Sequence, residues 1–403
     1  MNKEQAKKHL QNIFNFIEKS EIGGYTHKHP ALYFFKSKED FEQKLNDVLK
    51  DKINLDRYDV MYYSNYLIKY LLHPDDSHTN VFPKDFKLLP IIFKYIDGDF
   101  YVIKVIDSMN DALYGKLTHI NGVGIDTIKK ELEDMICYST DAHLKSIMSY
   151  RISSAEVLKS LPSINNKTNT IKYTIENNSI EETFAFNLAE EFSKIDDIHV
   201  MNYTYDLIDD SLVLHYTCCK NEERMNEFVS EIKDVSNKNN ISKFILDLRG
   251  NTGGSTNVSI PLINFLEDKN VVVLIDYDVF SAAAMLCLEL KKMGFLFVGT
   301  DIGTTLSCFG NIEVIDYPNL ELIIRKSYKY FYYGDDLNYH IYYKDSFNNF
   351  VRSKEEFNRI DKGVFTSDIY SIKSIDDYKN GTDTPLETAI NLLNNSRTYH
   401  NKN

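Results

Sequence analysis

The chain has no tryptophan, few cysteines, a deficit of positive charge and no long apolar run, and each shortage closes off a class of protein. Without tryptophan, the bulk of a core falls to 28 Tyr and 24 Phe. The five cysteines (Cys137, Cys218, Cys219, Cys287 and Cys308) are odd in number and form no CxxC pair. They read as reduced thiols, mostly in the core, rather than a disulfide framework. Adjacent Cys218 and Cys219 lack the intervening residues that zinc ligand pairs carry. Lys and Arg total 46 against 59 Asp and Glu, a net charge of −13. That argues against a general binder of nucleic acid or of anionic membrane, because phosphate neutralisation requires clustered cations. No apolar stretch is long enough to span a bilayer. The opening MNKEQAKKHLQNIFNFIEKS has no continuous apolar region and no small-residue cleavage site, so it does not read as a signal peptide. A cytoplasmic location is expected.

What is present is ordinary globular material, 43% hydrophobic and 26% charged. At 403 residues the chain is too long for one core, and two or three domains are expected. Leu10, Ile13, Phe14, Phe16 and Ile17 predict an amphipathic helix, and LDRYDVMYYSNYLIKYLL predicts another that stops before Pro74. Residues 1–82 therefore read as a helical N-terminal region. From Phe82 the period changes. KLLPIIFKYI and FYVIKVID flank Asp97-Gly98-Asp99, a second tight turn follows at Asn121-Gly122, and NTIKYTIENNSIEETFAFNL reads as a further hairpin. Residues 83–192 form a β-rich module on this reading. From about Tyr203 strands and helices alternate: SLVLHYTCC, MNEFVSEIKDVSNK, KFILDLRG, VSIPLINFLED, VVVLID, SAAAMLCLELKKM, FLFVGT. That order implies a largely parallel sheet with crossover helices over 193–397, an α/β domain in a chain that is α+β overall. Residues 398–403 read as a tail.

Three short segments carry candidate chemistry. In FILDLRGNTGGST (244–256) a buried strand ends in a loop with Gly253-Gly254, and paired glycines let backbone N–H groups converge on an anion. A phosphate loop is excluded by the missing Lys before Ser/Thr. An oxyanion-binding loop fits, as does a plain glycine turn. HPDDSHT (73–79) offers His73, His78, Asp75 and Asp76. Their spacing is not a zinc pattern; one histidine acting as general base is the stronger of the two chemical readings, and solvated loop residues are the ordinary reading of the segment alone. Ser281 opens the helix SAAAMLCLELKKM. Alone it reads as an N-cap, yet a hydroxyl there also lies close to the unpaired N–H groups of the helix start, which can stabilise an oxyanion.

Together these segments resemble the carboxy-terminal processing (tail-specific) serine peptidases. The text that carries the resemblance is DDSHT, DLRGNTGG, a strand followed by FSAAA, then VGTDIGTT, and GVFTSDIYSIKSIDDYKNGTDTPLETAI, in which Ser367 replaces the proline usual in the family. LYGKLTHINGVGI is similar to part of the PDZ-like insert of such enzymes. The resemblance implies a ClpP/crotonase-like catalytic domain, a PDZ-like module in 83–192, and Ser281 as nucleophile. It implies oxyanion donors from Ala282 and from Gly253 or Gly254. Many members place a Lys in the loop that here reads Gly303-Thr304-Thr305, and Lys291 and Lys292 lie along the preceding helix. The branch resembled is therefore the Ser–His one, like the tricorn core protease, with His78 as base. The group orienting His78 stays open among Asn311, Glu313, Asp335 and Asp336. The family's acid in SAxE is Ala284 here, and its YGE stretch is Phe309-Gly310-Asn311. The expected activity is serine-type endopeptidase, on a peptide or protein substrate held by strand addition, a chain terminus being one candidate, with no metal and no cofactor. The alternative is a catalytically impaired pseudopeptidase that binds peptides. A crotonase-like acyl-CoA enzyme is the weaker rival.

Overall fold

The computed structural model describes residues 1–86, 88–188 and 203–395. The boundary expected at 192/193 and the tail expected at 398–403 fall outside the described residues. Two compact units emerge. The first is drawn from Met1–Ser139, Ile147–Ser193 and Ser307–Gly363, the second from Thr140–Ser146, Lys194–Leu306 and Val364–Asn403. The architecture is mixed α/β.

The chain opens with α1 (Lys3–Glu18), begun by a capping box between Asn2 and Gln5 and buried along Ala6, Leu10, Ile13, Phe14 and Ile17. A hairpin follows, β1 (Lys19–Ile22) and β2 (Tyr25–Lys28), turned by Gly23-Gly24 at positive φ. Then come α2 (Lys38–Val48), α3 (Arg57–Leu71) and β3 (Asn80–Pro83). The hairpin and β3 lie inside the region predicted helical. Two glycines at left-handed φ are what allow so short a turn there.

The β module matches its turn signals. Strands β4 (Ile91–Ile96) and β5 (Asp99–Val105) pair across Asp97 and Gly98, and β6 (Lys116–Ile120) and β7 (Val123–Gly124) across Asn121 and Gly122. All four turn residues have positive φ, as a two-residue hairpin loop requires. Helices α4 (Ile125–Met135), α5 (Asp141–Arg151) and α6 (Ala155–Ser160) precede the hairpin β8 (Thr170–Asn177) and β9 (Ile180–Asn187). The sheet order is β4-β5-β6-β8-β9, with β7 on β6.

The second unit is built on a six-stranded sheet. After β10 (Tyr203–Ile208), a strand with no separate sequence prediction, come β11 (Ser211–Tyr216), α7 (Glu222–Asn239), β12 (Lys243–Asp247), α8 (Ile260–Leu266), β13 (Asn270–Ile275), α9 (Ala282–Lys292) and β14 (Leu296–Gly299). The chain then contributes β15 (Cys308–Tyr317), β16 (Leu322–Tyr333), β17 (Tyr339–Tyr342), α10 (Lys344–Phe350) and α11 (Lys354–Asn358) to the first unit, where β3 pairs with β16. It returns through β18 (Ile369–Tyr370), α12 (Ile375–Asn380) and α13 (Thr384–Asn395). The order is β10-β11-β12-β13-β14-β18, parallel from β11 to β18. Every residue of β12 is buried, as a central parallel strand covered on both faces should be. Val213, Ile245, Val272, Leu274 and Val298 of the sheet pack against Ala389 and Leu393 of α13. The first unit has its own aromatic core of Phe309, Tyr330, Phe347 and Phe357.

Candidate active site

Ser281 stands where β13 turns into α9. Its backbone is at φ 57° and ψ −124°, and its side chain makes no capping hydrogen bond. A β-carbon at such angles costs about 1–3 kcal/mol. The N-cap reading of the sequence is thus half right: the residue occupies the cap position, but its hydroxyl does not do the work of a cap. A serine on a sharp, strained strand-to-helix turn is the geometry of a nucleophile elbow. Behind it Ala282, Ala283 and Ala284 are buried, and their small side chains let the helix start pack closely.

The loop after β12 is shaped to this turn. Gly253 has φ +90°, and a β-carbon there would come within 2.6 Å of the Phe280 carbonyl, 2.8 Å of Ser281 Cβ and 2.9 Å of the Ala282 nitrogen. Only glycine tolerates both the angle and the approach. The loop is tied on three sides. Phe280 N–H donates to the Asn251 carbonyl (3.0 Å), Gly250 N–H to Asp276 Oδ1 (3.0 Å), and Cys219 N–H to the Gly253 carbonyl (3.0 Å). Fully buried Asn251 donates from Nδ2 to the Tyr216 carbonyl (2.9 Å) and accepts from Gly253 N–H at Oδ1 (2.9 Å). Gly253 N–H is therefore engaged. Among the described residues, the amides of Gly254 and Ala282 donate to no protein acceptor. Two donors thus remain for an anion, one from the loop and one from the helix start.

Charge fixes the root of the loop. Arg249 grips Asp247 through Nε (2.9 Å) and Nη2 (2.7 Å) and reaches Asp383 through Nη1 (2.8 Å). Burial alone would raise the Asp247 pKa, but the Arg249 and His215 hydrogen bonds outweigh it and hold the carboxyl at about 2. Asn251 and Asp276 went unnoticed in the sequence. An Asn inside a glycine loop and an Asp just after a strand are the only signals they carry, and both are common turn features.

The other landmarks of this unit are also placed. Gly303 packs against the same turn, its N–H donating to the Val279 carbonyl (2.8 Å), and a β-carbon there would meet the Tyr277 carbonyl at 2.6 Å. Lys291 pairs with Asp368, and Lys292 with Glu289 at 2.9 Å. His143 stacks its ring on Phe280, next to Ser281, with centroids 4.6 Å apart and an interplanar angle of 11°. Nothing in sequence links a residue so far upstream to this turn.

His78 belongs to the first unit, where the DDSH segment is buried. Asp76 is its hub. Asp76 Oδ2 accepts from His29 Nε2 (2.7 Å), and Oδ1 accepts from Ser327 Oγ (2.8 Å), Thr79 N–H (3.1 Å) and His78 N–H (3.3 Å). His29 Nδ1 accepts from Ala31 N–H (3.1 Å), which leaves the ring proton on Nε2, facing the carboxylate. Burial opposes the charge on Asp76, yet His29, Thr79 and Ser327 together bring its pKa below the usual carboxylate range. His78 is 4% exposed. Its pKa is lowered, chiefly by burial and also by Arg325, against the opposing pull of Asp76 and of a hydrogen bond to the Phe309 backbone. One ring nitrogen donating to that carbonyl leaves the other basic.

Of the four residues left open as partners of His78, three have other contacts. Buried Glu313 is held by Ser20, by His27 (3.1 Å) and by Lys326 (3.2 Å). Asn311 donates to the Tyr328 hydroxyl (2.8 Å), Asp336 pairs with His340 (3.0 Å), and Asp335 is exposed. Asp75, considered above as a metal ligand, lies 3.2 Å from His73 Nδ1. Among the described residues no cluster of three His, Cys, Asp or Glu could hold a metal ion, and no helix is long and apolar enough to cross a membrane.

No protein-family model matches the sequence, and no curated protein matches it. Solved structures do match in fold. Mature CPAF is 12% identical with a TM-score of 0.64, over 98% of this chain and 98% of that one. CPAF complexed with lactacystin is 12% identical with a TM-score of 0.63, over 98% of this chain and 99% of that one. A weaker likeness, 12% identical with a TM-score of 0.45 over 96% and 97%, is to the photosystem II D1 C-terminal processing protease. The chain is similar in fold to CPAF.

Proposed function

We propose that this chain is a serine-type endopeptidase in which Ser281 is the nucleophile and His78 the general base. Ser281 Oγ attacks the scissile carbonyl carbon while His78 takes the hydroxyl proton. The tetrahedral oxyanion is held by backbone amides. The C–N bond then breaks, His78 returns the proton to the leaving amine, and water hydrolyses the resulting ester. Ala282 supplies one oxyanion donor. Of the two glycines left open by the sequence, Gly254 is the better second donor, because the Gly253 amide is committed to Asn251. The Phe309 carbonyl orients the imidazole. The second unit is the ClpP/crotonase-like catalytic part. The sheet of β4 to β9 is the PDZ-like module, which takes an extended peptide by strand addition. No metal or cofactor enters this chemistry.

One observation carries the reading: the strained, non-capping conformation of Ser281, pressed against a glycine loop built to fit it. The fold likeness to CPAF supports it. The test is covalent labelling of the full chain by a fluorophosphonate, read as a mass increment on Ser281. Because a CPAF structure holds lactacystin, that compound is a second probe. Labelling is expected in the wild type and lost in Ser281→Ala and His78→Ala. Folded wild-type protein that takes neither probe at any pH would overturn the peptidase in favour of the pseudopeptidase. That second reading draws on the absence of the family's Lys at Gly303-Thr304-Thr305 and on the other engagements of Glu313.

A further inference from the structure

The first unit contains two cations with no anion. Arg151, the last residue of α5, is 4% exposed, and its Nε and Nη1 have no hydrogen-bond partner. Arg325 lies on β16, opposite Asn80 of β3. The two guanidinium carbons each sit 5.1 Å from the ring centroid of Phe82. The sheet register explains the approach: Phe82 faces Ile323, two residues from Arg325, so their side chains share one face. Among the described residues neither arginine forms an ion pair with a carboxylate.

An aromatic ring does not satisfy such a group. Cation–π attraction acts on the face of the guanidinium, whereas its N–H donors radiate in the plane. The α5 carboxyl end offers only a partial negative charge. Two nearby groups could become anions, Cys137 beside Arg151 and Tyr150 beside Arg325, but burial pushes the thiol up to about 12 and raises the phenol above its ordinary value, so both stay neutral. Burial, with a smaller contribution from Arg325, pulls Arg151 down to about 10, so at neutral pH it is still protonated. A buried, unpaired charge costs several kcal/mol. Arg151 is such a charge, and Arg325, exposed but on the same ring, adds a second; together they describe a receptor for an anion. The site also adjoins the candidate base, since Phe82 lies on the strand that follows His78 and the charge of Arg325 acts on that imidazole.

We propose that Arg151 and Arg325 form a subsite for a carboxylate group of the bound peptide. Arg151 makes the buried contact, and the more exposed Arg325 closes over it. The assignment of a peptide as carrier rests on the peptidase reading; the binding of an anion does not. Two experiments on the full chain separate these. In the first, thermal stability is followed against sodium acetate and inorganic phosphate, with sodium chloride at equal ionic strength as control. Acetate is expected to raise Tm saturably in the wild type and not in Arg151→Met or Arg325→Gln. Arg151→Met without added anion should melt above the wild type, because a buried unpaired charge is replaced by an apolar chain. In the second, the Ser281→Ala protein is titrated with peptides differing only in one charge: free carboxyl against carboxamide terminus, and internal Glu against Gln. The neutral member of the relevant pair should bind about tenfold to a hundredfold more weakly. That ratio should fall to about one when either arginine is replaced. Loss on amidation identifies a chain terminus, loss on Glu→Gln a side chain. Equal affinity for charged and neutral peptides overturns the proposal, as does a charge preference that survives both arginine replacements. Stabilisation by phosphate with no peptide preference overturns it too, in favour of a phosphate site. Acetate-dependent stabilisation in a protein that binds no peptide and takes no probe sinks the peptide assignment and the peptidase reading together, while leaving an anion site.

Discussion

Replacing Ser281 by glycine and by alanine separates a strained nucleophile from a helix cap. Both variants lose the hydroxyl, so neither should take a fluorophosphonate. Their stabilities diverge because of the backbone. At φ 57° and ψ −124° alanine keeps the strain of serine, about 1–3 kcal/mol, whereas glycine releases it. Against that gain stands the greater unfolded-state freedom of glycine, about 0.5–1 kcal/mol. The net expectation is that Ser281→Gly matches or exceeds the wild type in stability, by about 0–2.5 kcal/mol. In a unit of this size each kcal/mol corresponds to about 2–4 °C in Tm. Ser281→Ala should stay within about 1 kcal/mol of the wild type, the worth of one ordinary hydrogen bond. A capping serine differs in where the wild type ranks: it is then the most stable of the three, with glycine costing a few tenths and alanine about 0.5–2 kcal/mol. Calorimetry of the three proteins, with tyrosine fluorescence as a second probe in a chain that lacks tryptophan, gives the order directly. If the wild type is the most stable and alanine the least, Ser281 is a cap and the strain argument fails.

Gly253→Ala must push its new β-carbon into the Phe280 carbonyl, Ser281 and the Ala282 nitrogen. A loss of about 2–5 kcal/mol by urea unfolding and abolition of probe labelling are expected; an active, stable variant would show that the loop does not shape the turn. Asp76→Asn removes the carboxylate shared by His29, Ser327 and two backbone amides and should cost about 3–5 kcal/mol. Because the folded pKa of Asp76 is depressed, its stabilisation is complete above the unfolded value of about 3.9 and fades as pH falls through the folded value. An acid titration should therefore show a shallower acid limb in the variant. For His78, burial first and Arg325 next depress the pKa, so the basic form persists below the unperturbed value of about 6.5. The midpoint of the labelling rate should lie below that pH, and His78→Ala should lower the rate by about a hundredfold to ten-thousandfold. The same shift makes stability complete above about 6.5 and weaker as pH drops from there toward the folded pKa. A labelling midpoint above 6.5 would mean that another group is the base.

Local signals in this chain settled several local elements, though not the hairpin at Gly23-Gly24 or β3. Asp97-Gly98 and Asn121-Gly122 specified their hairpins because few residues tolerate positive φ, and the apolar runs around Ile245 and Val273 could be buried only as parallel strands. DLRGNTGG left an anion-binding backbone loop and a plain glycine turn equally open, because paired glycines serve both. Long-range placement was not legible. No sequence rule says that Ser281 fails to cap its own helix, that Asn251 takes the Gly253 amide and leaves that of Gly254, or that Ser307–Gly363 returns to the N-terminal unit. His29 meets Asp76, Phe309 meets His78, and Arg151 and Arg325 share the ring of Phe82 only because segments distant in sequence pack together. The amino-acid order determined which groups with useful chemistry exist and which turns they occupy, since backbone sterics act within a few residues. The tertiary structure alone decided which of those groups are buried, paired or left with charge uncompensated, since desolvation and Coulomb forces depend on neighbours that the chain supplies from anywhere along its length.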